Sequence, residues 1–100
     1  MVKVGLLATM HAKAGKEAEL AQFLTSAVEL ANQEQGTTVW FAFRFNHSQF
    51  GIFDAFGGED GRKAHLEGPI AKALMSRASE LLTEAPRIER TDVLAAKVTS

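Results

Sequence analysis

The sequence has no cysteine, no basic stripe and no long apolar run, and each absence excludes a class of protein. Without cysteine there are no disulfides, no thiolate catalysis and no cysteine-ligated zinc or iron–sulfur centre. The 11 lysines and arginines are scattered and nearly balanced by 12 acidic residues, which excludes the charge pattern of a nucleic-acid-binding protein. No apolar run reaches the roughly 18–20 residues that span a bilayer, so we expect no membrane segment and a cytoplasmic location.

The first eight residues form a short apolar segment that could be mistaken for the core of a secretion signal. His11, Lys13 and Lys16 interrupt it at once and no cleavage pattern follows, so we predict a first β-strand instead. A chain of 100 residues with 46% hydrophobic content is long enough for one modest core, and we expect one domain over residues 1–100.

The order of the predicted elements indicates the fold class. Two long segments carry apolar residues at helical spacing, and four others have the composition and alternation of strands. The predicted elements are a strand over 2–11, a helix over 16–35, strands over 37–45 and 50–56, a short helix ending at His65, a helix over 69–83 and a strand over 88–98. This β-α-β-β-α-β order predicts an α+β, ferredoxin-like fold, with an antiparallel four-stranded sheet and helices on one face.

The strand over residues 37–45 is apolar on both of its faces. One face carries Val39, Phe41, Phe43 and Phe45, and Trp40 lies on the other. An antiparallel sheet that faces water is normally polar on that side, so both faces need cover. The helices cover one face. The phenylalanine face is a patch of the size that marks an interface, and it predicts a homodimer.

Several loose motifs are distributed over residues 3–97. They are the element order, the turn Lys13-Ala14-Gly15-Lys16, Gly36 after the first helix, and the segment Ala64-His65-Leu66-Glu67-Gly68-Pro69. In this combination the chain resembles the antibiotic biosynthesis monooxygenase domain, a family of small dimeric α/β-barrels. That family includes cofactor-independent oxygenases of aromatic polyketides and quinols, and relatives of the haem-degrading monooxygenases. The resemblance implies a homodimeric oxidoreductase that acts without a cofactor on a small aromatic or quinol-like compound.

The resemblance also implies site residues. His65 matches the histidine of the family's His-Leu-x-Ser-Pro-like segment and is the predicted catalytic residue. Trp40 stands where the family often has a pocket tyrosine, and Asp54 and Phe56 stand where it often has Glu-x-Trp. The chain has no tyrosine, so the usual phenolic hydroxyl is absent from its pocket. Trp40, Asp54 and Phe56, with Arg44 as a group that stabilises an anion, form the predicted substrate-binding set.

The chemistry of a cofactor-free oxygenase suits these residue types. Deprotonation of a phenol or hydroquinone gives an anion that can pass an electron to O₂. A histidine with an ordinary pKa near 6.5 can take that proton, and aromatic side chains can stack on the ring. Each residue also has a structural interpretation. His65 can bond a backbone carbonyl, Asp54 can pair with Arg44 or with the other subunit, Arg44 can reach solvent, and Trp40 and Phe56 can be ordinary core.

The relative positions of the strand residues depend on the turn that joins them. A three-residue loop over 47–49 pairs Trp40 with Phe56 and Ala42 with Asp54. A two-residue loop shifts the register by one and places Trp40 and Phe56 on opposite faces of the sheet. We predict the first register, because it agrees with the family pattern.

No metal site is predicted, because His11, His47 and His65 lack the spacing of metal ligands. His11 and His47 are expected at the surface. In haem-degrading relatives the haem-ligating histidine falls about where this chain has Met75, which lies on the apolar stripe of the second long helix and is expected to pack in the core. The alternative to an enzyme is a non-catalytic dimeric module of the same fold that holds a small ligand or none. The polar content of the pocket separates the two.

Overall fold

A computed structural model describes residues 1–98 of the chain; residues 99 and 100, which the predicted domain includes, lie outside the described part. The strands are β1 (Val4–His11), β2 (Thr37–Arg44), β3 (Gln49–Phe56) and β4 (Arg87–Asp92), and the helices are α1 (Glu17–Ser26), α2 (Val28–Ala31), α3 (Glu59–Leu66) and α4 (Pro69–Leu81). The fold is α+β and ferredoxin-like, which confirms the predicted class. Among the described residues, no helix combines the length and apolar character needed to cross a membrane.

The four strands form one antiparallel sheet in the order β2-β3-β1-β4. The helices pack on one face of this sheet, where β1 and β3 contribute alternate apolar side chains. The main core cluster consists of Met10, Ala12, Leu20, Leu24, Phe50, Ile52, Leu74, Leu81 and Leu82. The central strand β3 therefore presents its inward side chains, including that of Asp54, directly beneath the helices.

The first helix is not the single helix predicted over residues 16–35. It divides at Ala27, which keeps a helical backbone and joins α1 to α2. Beyond α2 the amide N–H groups of Gln33 and Glu34 bond to the carbonyls three residues earlier, at 3.1 Å, so the final turn winds more tightly. This turn places Glu34 beside the sheet, just before β2 begins.

The register of the β2–β3 hairpin differs from the predicted one by two residues. Trp40 lies opposite Asp54, not opposite Phe56 as predicted. The loop does have three residues, but they are 46–48, because the side-chain oxygen of Asn46 accepts hydrogen bonds from the amides of residues 48 and 49, at 3.1 and 3.0 Å. A shift of two residues preserves the faces, so Trp40 and Asp54 share the helix-covered face of the sheet.

The sheet face away from the helices, the open face, carries Val39, Phe41, Phe43 and Phe45, together with Leu7 and Phe53. Phe41 is 59% exposed and Phe45 is 54% exposed. Phe43 packs edge-on against Phe45, with ring centroids 5.2 Å apart. Its ring also lies over Gly51, where a Cβ atom would come within 2.6 Å of it. The open face is thus an apolar surface with ordered internal packing.

The final strand is shorter than the predicted 88–98. β4 ends at Asp92, and the last ladder hydrogen bond joins the Val93 amide to the Lys3 carbonyl at 2.9 Å. β1 begins at Val4, so the chain beyond residue 93 has no strand to pair with. Residues 95–98 instead border a cavity of about 340 Å³ on the open face, beside Phe41 and other apolar residues.

Candidate active site

His65 lies between two carboxylates near the end of α3. Its Nε2 atom is 2.8 Å from Asp54 Oδ2, and its Nδ1 atom is 2.7 Å from Glu34 Oε1. The side chain of His65 is 8% exposed and that of Asp54 is 2% exposed. Glu34, Asp54 and His65 are hereafter the His65 cluster. His65 does not bond a backbone carbonyl, and Asp54 does not pair with Arg44 as one structural interpretation expected; its ion-pair partner is His65.

Three separate elements supply the His65 cluster. Asp54 points inward from β3, Glu34 follows the tight turn after α2, and His65 comes from α3. The Thr37 hydroxyl donates to Glu34 Oε1 at 2.7 Å, which fixes that carboxylate from the start of β2. The ring of Phe56 lies 5.5 Å from the imidazole ring and closes one side of it. The cluster is therefore held by side chains from several elements.

The two carboxylates determine the charge of His65. Burial alone lowers the pKa of His65, but the hydrogen bonds and negative charges of Asp54 and Glu34 outweigh this effect and raise the pKa to about 9. At neutral pH the ring is therefore an imidazolium that donates both N–H groups. The free imidazole expected from the sequence as a base is not the resting form, and an unprotonated carboxylate oxygen is the available proton acceptor.

Several buried polar atoms around the cluster have no hydrogen-bond partner within the described residues. They include Asp54 Oδ1, Glu34 Oε2 and Trp40 Nε1. A buried polar atom without a partner costs about 1–3 kcal/mol, so such atoms mark places where a ligand or water binds. Trp40 and Asp54 lie opposite each other on adjacent strands, so both residues that carry these atoms belong to the same part of the sheet.

The Asp54 side of the imidazole ring faces a cavity, here called the inner cavity. It has a volume of about 50 Å³ between the sheet and α4. Asp54 and His65 are its polar wall, and the rest of its lining is apolar: Leu6, Ala8, Ile52, Leu66, Ile70, Ala71, Leu74, Met75 and Ile88. Met75 does not pack in the core as expected but is exposed, as is Ile88, so the inner cavity approaches the surface between α4 and β4.

The Glu34 side of the ring faces a second cavity, here called the outer cavity. It has a volume of about 140 Å³, and Glu34 and His65 line it together with Gly36, Gly61 and Gly68. Gly36 and Gly61 touch closely, because a Cβ on Gly61 would lie 2.7 Å from the Gly36 carbonyl oxygen. His65 lines both cavities and forms part of the wall between them.

The other predicted site residues lie outside the inner cavity. Trp40 packs against the core beside Asp54, and Phe56 is fully buried behind His65. Arg44 lies at the far end of β2, with its guanidinium 4.6 Å from the centre of the Phe50 ring. It lines a separate cavity of about 170 Å³ beside α1. The structure brings His65 and Asp54 together and leaves Arg44 apart from them.

Glu34 was missed by reasoning from the sequence. It follows a helix that was expected to continue to residue 35, where a glutamate is expected to be solvated. The available signal is Gly36, since a glycine after a helix also permits close approach of another backbone, here that of Gly61. Nothing in the spacing connects Glu34 with His65, which lies 31 residues further along the chain.

The geometry of the His65 cluster does not resemble a metal centre. The two carboxylates bind opposite nitrogens of one ring, so the three side chains do not converge on one point. Within residues 1–98 no three histidine, aspartate or glutamate side chains are grouped as metal ligands. The arrangement instead consists of two hydrogen bonds, each of which joins a ring N–H to a carboxylate oxygen.

Solved structures of other proteins share this fold. No protein-family model and no curated protein matches the chain. A protein of unknown function from Nitrosomonas europaea has 54% identity and a TM-score of 0.98, with 100% of this chain and 97% of that chain covered. Two proteins named "putative antibiotic biosynthesis monooxygenase" are more distant. The one from Deinococcus radiodurans has 20% identity, coverage of 97% and 98%, and a TM-score of 0.82. The one from Caulobacter crescentus has 22% identity, coverage of 94% and 92%, and a TM-score of 0.79.

The two levels of similarity support two statements. Identity of 54% over the whole chain shows common membership of one family. Identity near 20% with TM-scores near 0.8 shows a common fold. The chain therefore belongs to the family of the Nitrosomonas europaea protein, and it has the fold of the antibiotic biosynthesis monooxygenases.

Proposed function

We propose that the protein is a cofactor-independent monooxygenase that oxidises a small phenol or quinol in the inner cavity. The observation that carries this proposal is the buried Asp54 carboxylate. Its Oδ1 atom has no partner among the described residues, and Asp54 lines, together with His65, a cavity whose other walls are apolar. A buried acceptor of this kind suits the hydroxyl group of an aromatic ring. The shared fold with proteins that carry a monooxygenase name supports the same reaction class.

The proposed reaction converts a hydroquinone and O₂ into a hydroxyquinone and water. A ring C–H bond breaks and a C–O bond forms, and the second oxygen atom leaves as water with two protons from the substrate. Asp54 Oδ1 accepts the hydroxyl proton, and the resulting phenolate passes an electron to O₂. The Nε2–H group of His65 holds Asp54 Oδ2 and so fixes the orientation of the accepting carboxylate. The apolar walls exclude water from the radical and peroxide intermediates.

The remaining predicted residues have supporting parts in this proposal. Trp40 lies opposite Asp54 on the neighbouring strand, and the Phe56 ring packs beside the His65 ring. In this proposal these neighbours fix the orientation of Asp54 and His65. Arg44 has no part in it, because it lines a different cavity. The inner cavity, about 50 Å³, is smaller than the roughly 150 Å³ that holds benzene. A single-ring substrate therefore requires Met75 and Ile88 to move apart at the surface.

The small cavity also favours the second candidate, a non-catalytic module of the same fold. In that case the His65 cluster serves only to join three elements, and both ring nitrogens are already bonded. Polar content alone does not separate this candidate from the enzyme, because Asp54 lines the cavity in both. The two differ in whether Asp54 Oδ1 ever receives a substrate proton.

We further propose that two copies of the chain pair through their open faces. Phe41 and Phe45 remain largely exposed in one copy, and the helices lie on the opposite side of the sheet. At about 25 cal/mol per Å², burial of a patch of several hundred Å² contributes several kcal/mol per subunit before the cost of association. Two sheets packed in this way form the dimeric barrel that the sequence predicted.

Oxygen uptake with single-ring hydroquinones tests the proposed reaction. We expect uptake by the purified protein with no added flavin, metal or haem, and formation of a hydroxyquinone. Asp54→Asn keeps the shape of the side chain but removes the proton acceptor, so kcat should fall by about 10²–10⁴-fold. The matched control is Asp60→Asn, at an exposed position of α3, which should leave kcat unchanged. Equal rates in the Asp54 variant and the wild type contradict the proposal, and binding without oxygen uptake supports the module.

A further inference from the structure

The inner cavity offers Asp54 only one polar neighbour among the residues that line it, which is His65. Its remaining walls are aliphatic side chains and a methionine, which cannot donate or accept a proton. A substrate that occupies this cavity also fills the approach between Met75 and Ile88 and displaces water from it. When substrate is bound, the polar group of the cavity lining through which Asp54 can be connected to solvent is therefore the imidazole ring of His65.

On the other side of the ring, the outer cavity can hold water that receives or supplies the proton. Its volume of about 140 Å³ is many times the roughly 10–15 Å³ that one water molecule needs. The exposed residues Gln35 and Gly36 line it, so it reaches solvent. Glu34 Oε2 has no partner among the described residues, and a Cβ atom on Gly68 would lie only 3.3 Å from it. Glycine at position 68 therefore places no side chain against this oxygen.

We infer that Glu34 is the residue through which the His65 cluster exchanges protons with solvent, by way of the outer cavity. Its use during turnover rests on the proposed function, because only a bound substrate closes the inner cavity. The exchange itself is a property of the free protein. Glu34 bonds His65 Nδ1 through one oxygen and lines the outer cavity, so it touches both ends of the transfer.

The transfer leaves the charge of the cluster unchanged. With Asp54 and Glu34 ionised and His65 protonated, the cluster carries two negative charges and one positive charge. When Asp54 takes the substrate proton, the imidazolium loses one of its two stabilising charges. The Nδ1–H bond then breaks, and its proton moves to Glu34 Oε1 and on to water in the outer cavity. The Nε2–H bond stays intact toward Asp54. Asp54 then gives its proton to the oxygen atom that leaves as water, and a proton returns from the outer cavity through Glu34 Oε1 to Nδ1, which restores the resting state.

The two ring protons of His65 report this exchange directly. We would measure their exchange with water by NMR in ¹⁵N-labelled protein at pH 7 without substrate. The Nδ1 proton should exchange faster than the Nε2 proton. Glu34→Gln keeps the side-chain shape but cannot carry the proton, so exchange at Nδ1 should slow at least tenfold. The matched control is Glu29→Gln, at an exposed position of α2, which should leave both rates unchanged.

A second variant keeps every titratable group in place. Gly68→Ala puts a methyl group beside Glu34 Oε2 and should slow Nδ1 exchange several-fold, whereas Gly58→Ala, with no atom within 4 Å of its Cβ, should not. Faster exchange at Nε2 than at Nδ1 in the wild type, or unchanged Nδ1 exchange in Gly68→Ala, overturns the inference. No substrate is present in these measurements, so an absence of oxygen uptake in the wild type overturns the proposed function without changing their outcome.

Discussion

At the scale of single residues, the three side chains of the His65 cluster depend on one another for their charges. A buried ion without a partner costs several kcal/mol, whereas a paired and hydrogen-bonded one is tolerated. His65 compensates both Asp54 and Glu34, so it is the member whose loss leaves the most uncompensated charge. Changes within the cluster are therefore expected to affect stability as well as any activity of the site.

His65→Ala is expected to destabilise the protein by about 3–5 kcal/mol, because it leaves two buried carboxylates facing an empty space. Urea unfolding followed by circular dichroism measures this difference. His47→Ala provides the comparison, because His47 is largely exposed and its one acidic neighbour among the ion pairs, Glu17, lies at the long distance of 3.7 Å. This variant should change the free energy of unfolding by less than about 0.5 kcal/mol. Equal stabilities of the two variants would contradict the pairing of His65 with both carboxylates.

The raised pKa of His65 makes stability depend on pH. In the unfolded chain the pKa is 6.5 and in the folded protein it is about 9. Below pH 6.5 both states carry the proton and the stabilisation is fully present. Between pH 6.5 and about 9 the folded state alone keeps the proton, so the free energy of unfolding falls by up to about 1.4 kcal/mol per pH unit. Urea titrations at pH 6, 7.5 and 9 should show this fall, and His65→Gln should abolish it.

The sequence indicated two members of this cluster but not the third. His65 and Asp54 could be singled out because a histidine matched a family motif and a carboxylate interrupted an apolar strand. Glu34 carries no such mark, since its burial results from a tight turn that the helical pattern does not contain. Arg44 was grouped with them by chemistry alone, and its distance along β2 separates it from the cluster.

At the scale of elements, the contact between Gly36 and Gly61 fixes α3 against the start of β2. The two backbones approach so closely that a Cβ on Gly61 would come within 2.7 Å of the Gly36 carbonyl oxygen. His65 lies one turn further along α3, so this contact also sets the distance from His65 to Glu34. Glycine at both positions is thus part of the architecture of the site.

Gly61→Ala is expected to move α3 outward and to cost about 1–3 kcal/mol, the usual cost of overpacking against a fixed backbone. Chemical denaturation measures the loss, and the His65 ring signals should shift as the cluster is disturbed. Gly57→Ala is the control, because its nearest neighbour would be 3.6 Å from the new methyl group. A Gly61 variant as stable as this control would mean that α3 adapts without cost.

The element order followed from periodicity, whereas the register and two boundaries did not. The spacing of apolar residues reflects which face of an element is buried, and for this reason the four strands and the long helices could be recognised from the sequence. The hairpin register depended on Asn46, whose side chain begins the turn instead of ending the strand. The length of β4 depended on where β1 begins, which is a property of the partner strand and not of residues 93–98.

At the scale of the whole molecule, the open face determines assembly. Phe41→Glu should dissociate the proposed dimer without unfolding the chain, because the Phe41 side chain is mostly exposed in one copy and leaves no cavity there. A substitution at Phe43 is a poorer test of the dimer, because its ring packs over Gly51 and its loss would also disturb packing within one copy. Sedimentation at micromolar concentration should give a dimer for the wild type and for Val28→Glu, which adds the same charge on exposed α2. A wild-type species of 10.8 kDa at this concentration would exclude the dimer.

The position of β2 at the edge of the sheet has a consequence for how the chain behaves when diluted. Its segment Thr38-Val39-Trp40-Phe41-Ala42-Phe43 has no charge, no proline and no glycine, and it consists almost wholly of residues that favour strands. An unpaired edge of this composition is a template for strand addition by other chains, the first step toward fibrils. The proposed partner would cover the open-face side chains of this segment, so its affinity would also set the concentration below which the protein becomes prone to aggregation.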